Sequence, residues 1–369
     1  MRPSSLGGLR GRWSRPLLAA SAAIAAVALV AAPAGAVTGW SHPLGVFMTR
    51  FGPAHDTAVD SGGYTLIASE GGAYSGIWLT SNQPDGGPPS WFNLQLTTQE
   101  DHAPSIAVRN DRFSVAFERL NTSTFKSRGI WTATNATGTI VVTKRDGDED
   151  YDPSIALRNG KTYIAYQDAT KHSLVYLTNA TGSWVHHTVD TSCCSGPVSL
   201  ELTSGGQPRI AYADGSNTAP TGVKYASSSS GSSWSISTVD THPSFSVSLG
   251  LDSANHPHVA YIRTSHGVEY AVTAPSGWLR TLLSSAQSEP VDLAVDGAGH
   301  AFVAYGNNGA IFYDTNVGGT WHITQLTFPS ADRQDFDPDI ARFGTKAQVV
   351  FNRIFGGTTN DGIAFMKQT

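Results

Sequence analysis

Two sets of residues have the types and spacing to do chemistry. The first is a ring of residues standing three positions after a recurring alanine or its counterpart: Gly71, Arg119, Asp168, Asp214, Arg263, Asn307 and Arg353. Its three arginines could grip a carboxylate, because a planar guanidinium offers paired donors that match two carboxylate oxygens. They could equally be loop cations neutralised by acids such as Asp168 and Glu118. The second set is acidic and aromatic: Asp101-His102-Ala103-Pro104, Asp150-Tyr151-Asp152-Pro153 and Asp335-Phe336-Asp337-Pro338, with His55-Asp56 and Glu289-Pro290. Aspartate ahead of a strand caps a turn. Converging carboxylates could instead bind a hard cation such as calcium, or work as an acid/base pair.

Long loops add a second pointer. The excursions at 118–129, 213–222 and 352–362 carry Arg119, Phe125, Lys126, Arg128, Arg353 and Phe355. Between the first and last of them in a closed ring would lie His55, Asp56, Glu70 and Tyr74, so aromatics for stacking on sugar faces would mix with cations for an acidic polymer. Cys193 and Cys194 are adjacent and cannot staple distant segments; closed on each other they would stiffen a turn or press an apolar knuckle against a ligand ring. The chain has no GxSxG elbow, no P-loop and no dinucleotide fingerprint.

Placing these residues requires a repeat, and the sequence has one. Copies read PSIAVRNDRFSVAF, PSIALRNGKTYIAY, PVSLELTSGGQPRIAY, SVSLGLDSANHPHVAY, PVDLAVDGAGHAFVAY and PDIARFGTKAQVVF, preceded by a degenerate TAVDSGGYTLIAS. The markers Ala68, Ala116, Ala165, Ala211, Ala260, Ala304 and Val350 are spaced by 48, 49, 46, 49, 44 and 46 residues, the range of propeller blades. With 38 Gly and 19 Pro for turns, the pattern predicts an all-β, seven-bladed β-propeller of four-stranded antiparallel blades. The last copy ends after its third strand, and the segment 37–50, opening Thr38-Gly39-Trp40, looks like a fourth-strand start, so it is expected to close the last blade. Residues 37–369 are expected to form one domain. Trp184, Trp234, Trp278 and Trp321, joined by Trp40 and Trp91, are expected between blades, with Trp78 and Trp131 at the third-strand aromatic place.

The turn Asp314-x-Asn316-x-Gly318-x-Thr320-Trp321 resembles the Asp-box (BNR) hairpin of sialidase-like propellers, and Ser227-x-Ser229-x-Gly231-x-Ser233-Trp234 is a weaker version. In that family the box is a peripheral folding element and three arginines hold a substrate carboxylate. The resemblance implies glycoside hydrolysis by paired carboxylates, or a lyase in which an arginine neutralises a uronate while His or Tyr removes the proton. The catalytic candidates on that reading are His55, Asp101, His102, Arg119, Tyr151 and Arg353. The ligand-binding candidates are Asp56, Glu70, Tyr74, Phe125, Asp150, Asp168, Arg263, Asp335 and Phe355.

Residues 1–36 read as a secretory signal peptide: Arg2, Arg10, Arg12 and Arg15 precede an apolar run ending in Ala34-Gly35-Ala36. Without those four arginines the net charge falls from −5 to −9, which disfavours nucleic acid, and no later stretch has the length of a bilayer span. The expectation is a secreted monomer without an obligate cofactor, binding or cleaving an extracellular glycan or polysaccharide on the face where the first strands begin. The competing expectation is a non-catalytic scaffold that binds another protein at the cell surface.

Overall fold

The computed structural model describes residues 37–47, 54–71, 75–82, 91–147, 149–191, 193–194, 196–216, 219–285, 290–356 and 362–369. The segment 1–36, Tyr74 and Glu289 lie outside them.

Alternating apolar residues broken by short turns give antiparallel hairpins, and these assemble into seven four-stranded sheets. Blade 1 spans 55–95, blade 2 101–144, blade 3 150–190, blade 4 198–240, blade 5 244–284 and blade 6 291–325, each from four consecutive strands. Blade 7 takes three strands from 333–367 and its fourth from Leu44–Phe47, which pairs antiparallel with Gly362–Lys367. First strands touch the first strands of both neighbouring blades, and that of blade 1 touches that of blade 7, so the wheel is closed. Among the described residues no helix is long and apolar enough to cross a membrane.

The markers Ala68, Ala116, Ala165, Ala211, Ala260, Ala304 and Val350 are fully buried. Directly across from them on the first strands stand Asp56, Ser105, Ser154, Ser199, Ser248, Asp292 and Asp339. These short polar side chains tie each blade to the next. Asp56 Oδ2 accepts from Ile106 N at 2.7 Å, Ser154 Oγ from Leu200 N at 3.0 Å, Ser199 Oγ from Leu249 N at 3.0 Å and Asp292 Oδ2 from Ile340 N at 2.8 Å. Ser105 and Ser248 do the same for Ile155 and Leu293, and His55 Nε2 lies 3.1 Å from Asp339 Oδ2 where blade 7 meets blade 1. The girdle gives inner-strand N–H groups acceptors that an apolar contact would deny them.

Farther out, each fourth-strand tryptophan packs edge-on against a third-strand ring of the preceding blade: Trp234 on Tyr176, Trp278 on Tyr225, Trp321 on Tyr270, Trp40 on Tyr313 and Trp91 on Phe365. Blade 2 breaks the series, because Thr132 takes the place of the ring. There Arg145 Nε bonds Thr132 Oγ1 at 2.7 Å and its guanidinium lies 4.5 Å from the centre of the Trp184 ring, so a cation stands in for the tyrosine. Trp78 and Trp131 sit one residue off the expected place: Leu79 and Thr132, not they, pair with the marker alanines.

The girdle carboxylates carry a pH dependence. Burial in the narrow centre of the wheel pushes Asp56 up to about 7 and also raises Asp292, while Glu201 is pushed up to about 7 for the same reason. A carboxyl whose folded pKa exceeds its unfolded one holds more protons when folded, so stability falls as pH rises between roughly 4 and 7. Thermal unfolding is therefore expected to show a lower Tm at pH 8 than at pH 5. Asp56→Asn, which keeps the acceptor oxygen and removes the charge, should narrow that gap; an unchanged gap would show that Asp56 does not carry it.

Candidate functional site

The loops before the first strands and after the second strands share one face, and hairpin register brings the predicted residues into pairs. Asp101 lies opposite Arg119, Asp150 opposite Asp168, Ser244 opposite Arg263 and Asp335 opposite Arg353. A bulge lies just past these positions, with Ala103, Asp152, Ser246 and Asp337 at φ of 48°, 49°, 53° and 55°.

The arginines are taken up within their own blades. Arg119 donates Nε to Asp101 Oδ1 at 2.6 Å and Nη2 to Oδ2 at 2.9 Å; Arg353 repeats this with Asp335 at 2.6 and 2.8 Å. The acids that hold them are thus Asp101 and Asp335 rather than the expected Asp168 and Glu118. Asp168 is held by Lys171, through N at 2.9 Å and Nζ at 2.6 Å, and Arg263 Nη1 lies 3.8 Å from Glu269 Oε1. Blades 2, 5 and 7 each keep their own arginine, so the three do not form one carboxylate clamp.

The other candidates divide between support and surface. His55 is buried between blades 1 and 7, Asp56 belongs to the girdle, and Tyr151 accepts Ser127 N at its hydroxyl at 3.2 Å. Asp150 is buried and Phe355 half-buried at the end of Lys346–Phe355. His102 joins blades 1 and 2: its Nδ1 is 3.5 Å from Glu70 Oε1 and its Nε2 3.2 Å from Glu100 Oε1, while Glu70 also accepts Ala103 N at 2.8 Å. Burial works against its charge, but Glu70, Glu118 and Glu100 hold its pKa above the ordinary imidazole value. A histidine clamped in this way suits proton donation better than proton abstraction. Cys193 and Cys194 form a disulfide, and Cys193 packs with Leu174, Val198 and Tyr212, so the pair fills core. Among the described residues no group of three His, Cys, Asp or Glu side chains is placed to hold a metal ion.

One candidate stands out toward solvent. Phe125 is 71 % exposed and held at φ 54°, a left-handed conformation that a bulky residue pays strain to adopt. Its loop is tightly organised: Phe125 N bonds Asn121 O at 2.8 Å, Asn121 N bonds Lys126 O at 2.9 Å, and Asn121 Oδ1 accepts Ser123 N and Thr124 N at 2.9 and 3.1 Å. The same loop carries Lys126, which pairs with Glu149 at 2.7 Å, and leads into exposed Arg128. In the same blade Arg119 lies 4.0 Å from the centre of the Trp131 ring, and Trp131 pairs with Lys144. The role of Trp131 as a shelf for Arg119 had a signal only in the register that sets it beside Phe117.

Neither a protein-family model nor a curated protein matches the sequence. Solved structures do match in fold. The polysaccharide lyase Uly1 aligns at a TM-score of 0.55 and 11 % identity, over 89 % of this chain and 99 % of its own. The fungal lectin of Aleuria aurantia, a six-bladed propeller with a fucose recognition mode, gives 0.51 and 10 %, over 78 % and 99 %. AofleA from Arthrobotrys oligospora gives 0.50 and 11 %, over 79 % and 91 %. At these identities the likeness is one of fold: a propeller, here with seven blades.

Proposed function

We propose that the chain is an exported carbohydrate-binding propeller that takes an acidic glycan on the face where its first strands begin, with the Phe125 loop of blade 2 as the contact. The observation that carries this reading is Phe125, a large apolar ring kept exposed in a strained conformation by a hydrogen-bonded loop. Strain and exposure both work against folding, and a preformed ring followed in the chain by exposed Lys126 and Arg128 suits a sugar face that carries a carboxylate. The fold of the lectin and lyase neighbours is compatible with it. Binding is favoured over cleavage because the forks of Arg119 and Arg353 are occupied by Asp101 and Asp335.

The test is titration of the purified protein with polygalacturonate and with an uncharged polysaccharide of similar length, while ultraviolet absorbance is followed for an unsaturated product. Polygalacturonate is expected to bind, more weakly as salt rises, with no product. Phe125→Gly relieves the backbone strain, so it is expected to raise Tm slightly while weakening binding about tenfold or more. Product formation would overturn the non-catalytic reading. Undiminished binding by Phe125→Gly, or no binding by either polymer, would overturn the site.

A further inference from the structure

The outer wall of the wheel carries a repeated cluster that the Phe125 reading does not use. Where the fourth strand of one blade ends, an aspartate meets a second-strand tyrosine of the next blade and a base from that blade's outer strands. Asp146 meets Tyr166 and His186; Asp190 meets Tyr212 at 2.7 Å and Lys224 at 3.2 Å; Asp240 meets Tyr261 at 2.9 Å and Arg280 at 2.6 Å. The base lengthens and broadens from blade 3 to blade 5, and the last of the three clusters opens into a groove. That groove has room for about 560 Å³ and is lined by Ser237, Thr238, Asp240, Thr273, Trp278 and Arg280 among others.

We propose that this groove between the outer edges of blades 4 and 5 is a separate binding site for an uncharged sugar residue. The lining suits a pyranose ring, with hydroxyl groups on one wall and an indole on the other. Trp278 is half-buried, braced edge-on against Tyr225 with centroids 5.4 Å apart and with Nε1 3.5 Å from Ser237 Oγ. Arg280 meets Asp240 through Nη1, also bonds Tyr261, and is 39 % exposed on the wall of the groove. Arg119 and Arg353 differ, since each gives both donors of its Nε–Nη2 edge to its aspartate.

Charge decides the ligand class. Asp240 is buried and pairs with Arg280, so an anion would meet a carboxylate beside the cation, whereas a hydroxyl can accept from the fork and donate to Thr238 or Thr273. His242 adds an Nδ1 contact to Asp240 at 2.7 Å, and against the cost of burial the bonds from His242, Tyr261 and Arg280 hold that carboxyl down at about 2. The Arg–Asp pair therefore persists at all ordinary pH values. Gly222 keeps the cluster in place: a side chain there would strike the Asp240 carbonyl.

Nothing in this site depends on the Phe125 loop, so the two readings fail separately. The test is titration of the full chain with methyl galactoside, methyl glucoside and methyl mannoside, and with galacturonate as the charged counterpart, followed by ligand-observed NMR and calorimetry. At least one neutral glycoside is expected to bind in the millimolar range or better, unaffected by Phe125→Gly. Trp278→Ala and Arg280→Lys are each expected to weaken it about tenfold or more; the lysine keeps a positive charge beside Asp240 and so protects the fold. Tm of both variants shows that they are folded; Trp278→Phe, which keeps an aromatic wall against Tyr225, is expected to retain most of the binding that Trp278→Ala loses, and Arg280→Gln serves where Arg280→Lys does not fold. Absence of binding by all three glycosides, stronger binding of galacturonate than of any of them by Phe125→Gly, in which the other site is weakened, or unchanged affinity in Trp278→Ala and Arg280→Lys would overturn the site.

Discussion

A chain shortened to begin after Phe47 is expected to lose its cooperative thermal transition and to elute from a sizing column as aggregate. The segment removed does two jobs. Leu44–Phe47 is the strand paired to the outer edge of Gly362–Lys367, with Leu44 opposite Phe365 and Gly45 opposite Ala364. Ahead of it, Ser41 N bonds Lys367 O at 2.8 Å, Thr369 N bonds Gly39 O at 2.9 Å, and Trp40 packs on Tyr313 with centroids 5.0 Å apart. Without these residues a row of backbone donors and acceptors faces solvent in a blade rich in apolar side chains, the usual template for strand addition by another chain. Trp40 and Val46 are also buried, and losing an indole from a core costs about 3–5 kcal/mol, a large part of the roughly 5–15 kcal/mol that holds a domain folded. Trp40→Ala alone is expected to lower Tm by several degrees while the wheel stays closed. A shortened chain that melts at the full-length Tm would show that closure of the wheel does not come from this segment.

Architecture was legible because the repeat is written in residue types that the packing requires. The buried alanine and the aromatic that follows it point to opposite faces of the second strand, toward the two neighbouring blades, so the marker spacing carries both blade number and register. The girdle of Asp56, Ser105, Ser154, Ser199, Ser248, Asp292 and Asp339 is present in the same copies, but Ser and Asp in a strand carry no periodic signature by themselves. Their purpose emerges only when six of them are seen to meet an N–H of the next blade. The site was less legible for a related reason. Phe125 was nominated by loop length alone, and what sets it apart, its φ and its exposure, belongs to the three-dimensional loop. The groove at Trp278 and Arg280 joins two fourth strands more than 35 residues apart, and no local pattern points across that distance.

The fate of the arginines, by contrast, was written in the chain. Asp101 and Arg119 are 18 residues apart, and so are Asp335 and Arg353, each pair placed symmetrically about the hairpin that joins a first strand to a second. That symmetry predicts a large effect. The carboxylates of both aspartates are fully buried, and the arginines that reach them are 14 % and 8 % exposed. Removing one partner leaves the other charge without its counter-ion in a poorly solvated place, which costs about 3–5 kcal/mol, whereas replacing both with apolar residues costs far less. Asp101→Ala is therefore expected to destabilise the protein by about that amount in urea unfolding, and Asp335→Ala similarly. Asp101→Leu with Arg119→Met should recover much of the loss, so that the two changes are strongly non-additive. Additive losses would mean that the pair contributes nothing as a pair. The same variant separates support from binding: Asp101→Ala frees the guanidinium fork of Arg119 above Trp131, and the folded fraction is expected to gain affinity for galacturonate. A fork that served ligand all along would instead lose affinity when its aspartate is removed, because the bidentate pair would then be what holds it in its working position.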